Sequence, residues 1–406
     1  MKYSTIKLAA VQPSASAAVS ESAAALKAAG HDVIDLGLGE PDFDTPLHIK
    51  LAAHQAALAG RTKYPPTDGT QDLKAAIIAK LARDNGLTYA ANEIIVANGA
   101  KQVIFDAFMA SVEPGDQVLL LAPYFGSYKD IVMLLGGVPV AIPCPVENGF
   151  RLSPAALDAA ITPATRWLLI NSPSNPAGAV YDEAEFRALG EVLLRHPHVL
   201  IMSDEIYEHI LFDGRTFASF SAACPQLRDR TLVVNGVSKA YAMTGWRIGY
   251  GAGPKPLIAG MTKVQSQISS GACSIAQAAA AAALDGPQGH VALFRAAFER
   301  RRDLIVSRIA GIPGLSLNTP GGAFYALIGC ASFIGAKKPD GSVIADDIQF
   351  TQYLLLAAKV AAVPGSAYGL SSYFRISTAT ADHVLAKAMD RIATCVAHLE
   401  MPRKDS

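Results

Sequence analysis

The chain has 406 residues, 51 % of them hydrophobic and 17 % charged, with 35 Lys and Arg balancing 35 Asp and Glu. That composition excludes a disordered chain and offers no basic face for nucleic acid or an anionic membrane, so small molecules are the expected ligands. Five cysteines without a CxxC pair argue against a disulfide framework and a structural zinc site, and point to reduced thiols in a cytoplasmic protein.

The length predicts two or three domains, and no 20–50-residue period repeats. At the N-terminus Lys2 and Lys7 are followed by an apolar run that Gln12 and Pro13 end too early for a secretory signal. From residue 93 onward, "EIIVA" (93–97), "QVLLLA" (117–122), "RWLLIN" (166–171), "HVLIMS" (198–203) and "TLVVNG" (231–236) are apolar runs with little alternation. Helix-like segments at 101–112, 127–136 and 182–195 separate them. Non-alternating strands joined by helices predict an α/β fold with a mostly parallel central sheet covered on both faces. Residues 264–284 carry no charge, but three Gln, four Ser and an Ala-rich second half predict a buried helix rather than a membrane span.

The final third changes character. Helical stretches at 285–310 and 380–399 flank short strands at 322–329, 360–365 and 373–377, which predicts a smaller α+β domain. The expected division is a large domain at 48–290 and a small one built from 1–47 and 291–406. Residues 330–347 read as an exposed loop, and the last six as frayed.

Parallel sheets bind ligands beyond the carboxyl ends of their strands. There the first strand runs into "NGAKQ", a small-residue turn opening a helix whose N-terminus suits an anion. The second ends in "PYFGSY", where Phe125 offers a stacking surface. The third ends in "NSPSNPAG" with Asn175, and the fourth in "SDEIY" with Asp204 and Tyr207. The fifth leads to "VSKAYAMTGWRIGY", with Lys239 and Arg247. A phosphate-type turn, a flat ring surface, an amide, an acid, a phenol and an amine are together what pyridoxal phosphate (PLP) requires.

With these residues in view, the chain resembles the class I (fold-type I) PLP-dependent aminotransferases end to end, most closely the bacterial aspartate subgroup. The motifs carrying the resemblance include "GLGEPDFDTP" (37–46), "KYPPTDGTQDLKAAI" (63–77), "NSPSNPAGAVY" (171–181), "SDEIYEH" (203–209), "NGVSKAYAMTGWRIGY" (235–250), "GGAFY" (321–325), "VPGSAYG" (363–369) and "FRIS" (374–377). The resemblance implies that Lys239 holds PLP as a Schiff base and then acts as the base at Cα. It implies that Asp204 pairs with the ring nitrogen, while Tyr207 and Asn175 bond the ring's phenolic oxygen and Phe125 stacks on the ring. Gly99, Ala100, Lys101, Ser238 and Arg247 would surround the phosphate, joined by Tyr64 from the neighbouring subunit of a homodimer. Arg375, with the backbone N–H of Gly39 and with Asn175, would bind the substrate α-carboxylate.

For the distal carboxylate of aspartate or glutamate, the subgroup pattern implies Lys101, Ser14 and Ser16. Phe125 stands where these enzymes usually carry Trp; Phe lacks the indole donor, a loss of about 1.5–3 kcal/mol if the carboxylate used it. An aromatic, prephenate or broad-specificity aminotransferase is therefore the alternative on the same fold. From a different class, a PLP-fold regulatory protein would need an N-terminal helix-turn-helix domain, for which the first 47 residues are too few and too weakly basic. A dinucleotide-dependent dehydrogenase would need a G-x-G-x-x-G after an early strand, and none is present.

Overall fold

The computed structural model describes residues 4–9 and 11–401. The first strand, β1 (Ile34–Asp35), precedes the strands of the main sheet: β2 (Ile94–Ala97), β3 (Gln117–Ala122), β4 (Val138–Pro143), β5 (Thr165–Asn171), β6 (Leu200–Asp204), β7 (Thr231–Gly236) and β8 (Gly249–Ala252). These seven line up in the order β2-β8-β7-β6-β5-β3-β4, all parallel except β8, which runs antiparallel to both neighbours.

Consecutive side chains of the apolar runs enter opposite layers, which is why the runs do not alternate with polar residues. On one face Ile94, Val96 and Val233 pack with the helices Leu47–Leu58, Gln71–Asn85 and Ser274–Asp285. On the other face Ile95, Val118, Leu120, Trp167 and Met202 meet the helices Ala100–Ser111, Ser127–Leu135 and Lys255–Ile268. Trp167 satisfies its buried indole by donating to Ser111 Oγ at 3.0 Å. Local caps fix several helix starts: Thr70 accepts from Leu73 N–H, and Asp182 with Glu185 forms a capping box.

A second core holds Ile34 and Leu36 with Ile305, Ile328, Phe374, Ile376, Leu385 and Ile392. It is built on β9 (Ser316–Leu317), β10 (Tyr325–Gly329), β11 (Val360–Ala361), β12 (Val363–Pro364) and β13 (Tyr373–Ser377). The order β12-β13-β10-β9 is antiparallel, whereas β11 pairs in parallel with β1.

Several expectations need correction. Residues 264–284 do not form one helix, because Ser270 and Gly271 adopt positive φ (59° and 144°) and separate Lys255–Ile268 from Ser274–Asp285. Helix 285–310 starts instead at Gly289, and the apolar run 360–365 divides between two sheets. Residues 330–347 are not an exposed loop: Cys330, Phe333, Ala336 and Ile344 are buried, and Gly335 and Ala336 exchange backbone hydrogen bonds with Ile344. Widely spaced apolar anchors in a polar segment hide such packing from periodicity. β4 went unread because prolines and half-exposed positions mask an edge strand. Of the last six residues, expected to fray, 402–406 lie outside the described residues.

Candidate active site

At the carboxyl ends of the main-sheet strands, a cavity of about 340 Å3 opens between the two cores. All the residues expected at the site line it except Gly99 and Tyr64. Gly99 is adjacent, at the turn after β2. Its φ of +88° lies in the left-handed region, and a β-carbon there would collide with the Arg247 guanidinium. The helix Ala100–Ser111 starts from this turn, so its unpaired N–H groups and Arg247 form one cationic corner. Arg247 is held by Nη1 donating to the Thr244 carbonyl at 2.9 Å and Nη2 to that of Asn98 at 3.3 Å. Tyr64 is 92 % exposed and takes no part in the cavity of this chain.

The sheet delivers the acid. Asp204 ends β6, buried, and its Oδ2 accepts from Tyr128 Oη at 2.6 Å while Oδ1 accepts from Ile206 N–H at 3.2 Å. Burial outweighs these donors and the nearby Lys239 charge, raising the carboxyl to about 6. An acid in that state gains most from a cationic partner. Asn171, at the end of β5, donates to the Asp204 carbonyl at 2.9 Å and accepts from Asn175 N–H at 2.8 Å, so it ties the Asn175 loop to the acid.

Lys239 lies in the turn after β7, its Nζ donating to the Gly39 carbonyl at 2.7 Å. Burial, then the cations Arg247 and Arg375, push the amine down to about 8, opposed by Glu40 and Asp204. A lysine so placed is neutral in about one molecule in ten at pH 7, far more often than an ordinary lysine. Tyr207 Oη shares a 2.8 Å hydrogen bond with Tyr325 Oη, and a β-carbon at Gly39 would collide with that same Tyr325 hydroxyl.

Arg375, from β13, is 1 % exposed, and its guanidinium carbon lies 4.7 Å from the centre of the Tyr325 ring and 5.1 Å from that of Tyr368. Nη1 donates to Asn175 Oδ1 at 3.2 Å, and Nη2 to Ser16 Oγ at 3.3 Å and to the Gly37 carbonyl. Its Nε is buried without a partner. At the far wall Lys101 Nζ lies 5.3 Å from the centre of the Phe125 ring, with its pKa lowered by burial and by Arg247. Ser14, Ser16 and Ala17 cover the mouth from the N-terminal helix Ala15–Ala28 and its cap.

Sequence reading missed Tyr128, Asn171 and Tyr325, although each sits inside a motif that had drawn attention. Tyr128 follows Phe125 by three residues, in the first turn of the helix Ser127–Leu135. Among the described residues, no group of three or more His, Cys, Asp or Glu could hold a metal ion, and no helix is long and apolar enough to cross a membrane.

The family model described as aminotransferase class I and II matches residues 31–392. An aspartate aminotransferase of Rhizobium meliloti is 55 % identical over 371 residues, covering 91 % of this chain and 90 % of that protein. An aspartate/prephenate aminotransferase of Cereibacter sphaeroides is 52 % identical over 399 residues, covering 98 % and 100 %. Among solved structures, the Rhizobium meliloti aspartate aminotransferase matches with a TM-score of 0.95 at 51 % identity, over 98 % of this chain and 100 % of that one. The Thermus thermophilus aspartate aminotransferase with maleate matches at 0.90 and 40 % identity, over 97 % and 100 %. Matched along nearly its whole length in both sequence and fold, the chain belongs to the aminotransferase class I and II family.

Proposed function

We propose that this enzyme uses PLP to move an amino group from an L-amino acid, foremost aspartate or glutamate, to a 2-oxo acid such as 2-oxoglutarate, in a ping-pong cycle. The observation that carries the reading is a single cavity holding Lys239, its amine pushed down to about 8, and Asp204, a buried acid raised to about 6 for want of a cation. The cationic corner of Gly99, the helix N-terminus and Arg247 also suits a phosphate, and the unpartnered Nε of Arg375 suits a carboxylate. The residues therefore fit PLP.

When bound, PLP supplies an aldehyde that condenses with amines and a protonated ring that draws electrons from a breaking Cα–H bond. Lys239 would hold the aldehyde carbon and, as a free neutral amine, take the proton from substrate Cα. Asp204 would hold the proton on the ring nitrogen, with Tyr128 and Ile206 N–H fixing the carboxylate's orientation. Tyr207 and Asn175 would donate to the ring's phenolic oxygen, and Phe125 would cover one ring face. Ala100, Lys101 and Ser238 would join Gly99 and Arg247 around the phosphate.

Arg375 and the Gly39 N–H would orient the substrate α-carboxylate, and Lys101, Ser14 and Ser16 the distal one. The exposure of Tyr64 accords with a role in the active site of a second copy, and hence with a homodimer. The two cores support division into a domain at 48–290 and another made of 1–47 and 291–406. Phe125, which offers no donor at the far wall, favours a second reading in which the acceptor site also admits prephenate.

The test is a panel of amino donors with 2-oxoglutarate, and prephenate as alternative acceptor, on PLP-loaded protein. Borohydride should trap the cofactor on Lys239. No trapping there and no transamination of any donor would overturn the reading.

A further inference from the structure

Beneath the cavity lies a buried polar cluster with no member on the cavity wall. It contains Lys80 (0 % exposed), Asn235 (1 %), Glu205 (1 %), Glu208 (4 %) and Asn85 (7 %). Glu208 is its centre: Oε1 accepts from Asn235 Nδ2 at 2.9 Å and from Lys80 Nζ, and Oε2 accepts from Asn85 Nδ2 at 2.6 Å. Asn85 Oδ1 accepts from Lys80 Nζ at 2.6 Å, and His209 Nε2 stands 3.3 Å from Glu208 Oε1. Burying charges in this way seldom adds net stability over an apolar core.

The cluster occupies a telling place in the topology. The β6–β7 ladder ends at Asp204 and Val234, followed by Glu205 N–H donating to the Val234 carbonyl at 2.8 Å. Past that point the two chains carry opposite sides of the site: Tyr207 on one, Ser238 and Lys239 on the other. Among the described residues, the one hydrogen bond joining segment 205–210 to segment 235–243 is Asn235 to Glu208. Asn235 also accepts from Gly236 N–H at 2.7 Å through Oδ1, so its amide ties the backbone entering the lysine turn to the segment after the acid.

We propose that Asn235 is a positioning residue, which through Glu208 fixes the Lys239 turn against the Asp204–Tyr207 segment. The proposal rests on the reading of Lys239 as the residue that holds PLP. The amine faces Arg247, Arg375, Glu40 and Asp204, the Gly39 carbonyl and the rings of Tyr207 and Phe324. A slack turn admits water to it and restores its affinity for a proton. Lys80 and Glu208 act as the anchor, and neither is among the charges that chiefly act on the amine.

The test compares wild type, Asn235→Ala, Asn235→Ser and the double variant Lys80→Met/Glu208→Gln, whose new amide oxygen still accepts from Asn235. In cofactor-free protein, reductive methylation of Lys239 followed by mass spectrometry across pH gives the amine's midpoint. Asn235→Ala should raise it by about one pH unit, a loss of about tenfold in neutral amine well below the midpoint. Asn235→Ser, with a shorter donor, should fall between Ala and wild type, and is the fallback if Ala does not fold.

The double variant, which removes both charges together and keeps the acceptor for Asn235, should keep the wild-type midpoint. With PLP and substrate, Asn235→Ala should lower kcat with little change in KM. A folded Asn235 variant with the wild-type midpoint overturns the proposal, as does a double variant that shifts as far as Asn235→Ala. Borohydride trapping on wild-type Lys239 is scored separately. If it fails, the reading of Lys239 fails, whatever the midpoints.

Discussion

Replacing Asp204 with Asn should make the cofactor-free protein more stable and the enzyme inactive. Asp204 is enclosed, and burial raises its carboxyl from the ordinary 3.8 to about 6. That displacement makes the ionised native state costlier by about 3 kcal/mol. Below about pH 4 both folded and unfolded chains hold the proton, and the term vanishes. Between pH 4 and 6 the unfolded chain ionises first, so native stability falls as pH rises, and the loss is complete above pH 6. Asparagine does not titrate; its Oδ1 can accept from Ile206 N–H while its Nδ2 donates to Tyr128 Oη.

Urea unfolding of both cofactor-free proteins at pH 4 and pH 8 measures the difference. Asp106, raised to about 7 by burial, and Glu205, raised to about 8 by burial and by Glu208, titrate in both proteins and cancel from it. The variant's advantage should grow by about 2–3 kcal/mol between the two pH values. With PLP present, kcat should drop by about a hundredfold or more, because no carboxylate holds the ring proton. An advantage that is the same at both pH values, or an Asp204→Asn protein less stable than wild type at pH 8, would refute the reasoning.

Lys239→Ala should abolish turnover and borohydride trapping while circular dichroism reports an unchanged fold; near-normal kcat would overturn the role assigned to the amine. Phe125→Trp adds an indole donor at the far wall and should raise kcat/KM for aspartate relative to phenylalanine, by up to the ten- to hundredfold that one hydrogen bond to a charged group allows. No change, or the reverse preference, in steady-state assays would show that the distal carboxylate is read elsewhere. Gly99→Ala forces an L side chain onto a backbone of φ 88° and ψ 160°, which glycine alone ordinarily adopts, at about 1–3 kcal/mol, and displaces Arg247. Equilibrium dialysis should show PLP affinity lowered by about tenfold, against unchanged affinity if that turn does not meet the phosphate.

The sheet was legible because its strands are buried on both faces: β3 and β7 coincide with the apolar runs that announced them. The residues at their carboxyl ends were legible for the same topological reason. What escaped depends on contacts between side chains far apart in the chain. Tyr128 meets Asp204 across 76 positions, and Tyr207 meets Tyr325 across 118. No local pattern records such a meeting. The break at Ser270 and Gly271 escaped because an uncharged, Ala-rich context outweighed a short Ser-Ser-Gly signal. The burial of Ile344 depends on the shape of the core receiving it, not on its neighbours in sequence.

Arg375 is wedged between two phenol rings and tethered at both of its terminal nitrogens. A guanidinium so confined cannot swing aside for a guest that brings no counter-ion. With Arg375 as the proposed seat of the substrate α-carboxylate, decarboxylated analogues such as simple primary amines would leave that charge without its counter-ion and should be poor substrates. Tolerance for varied side chains at the opposite end can then coexist with strict insistence on an amino acid.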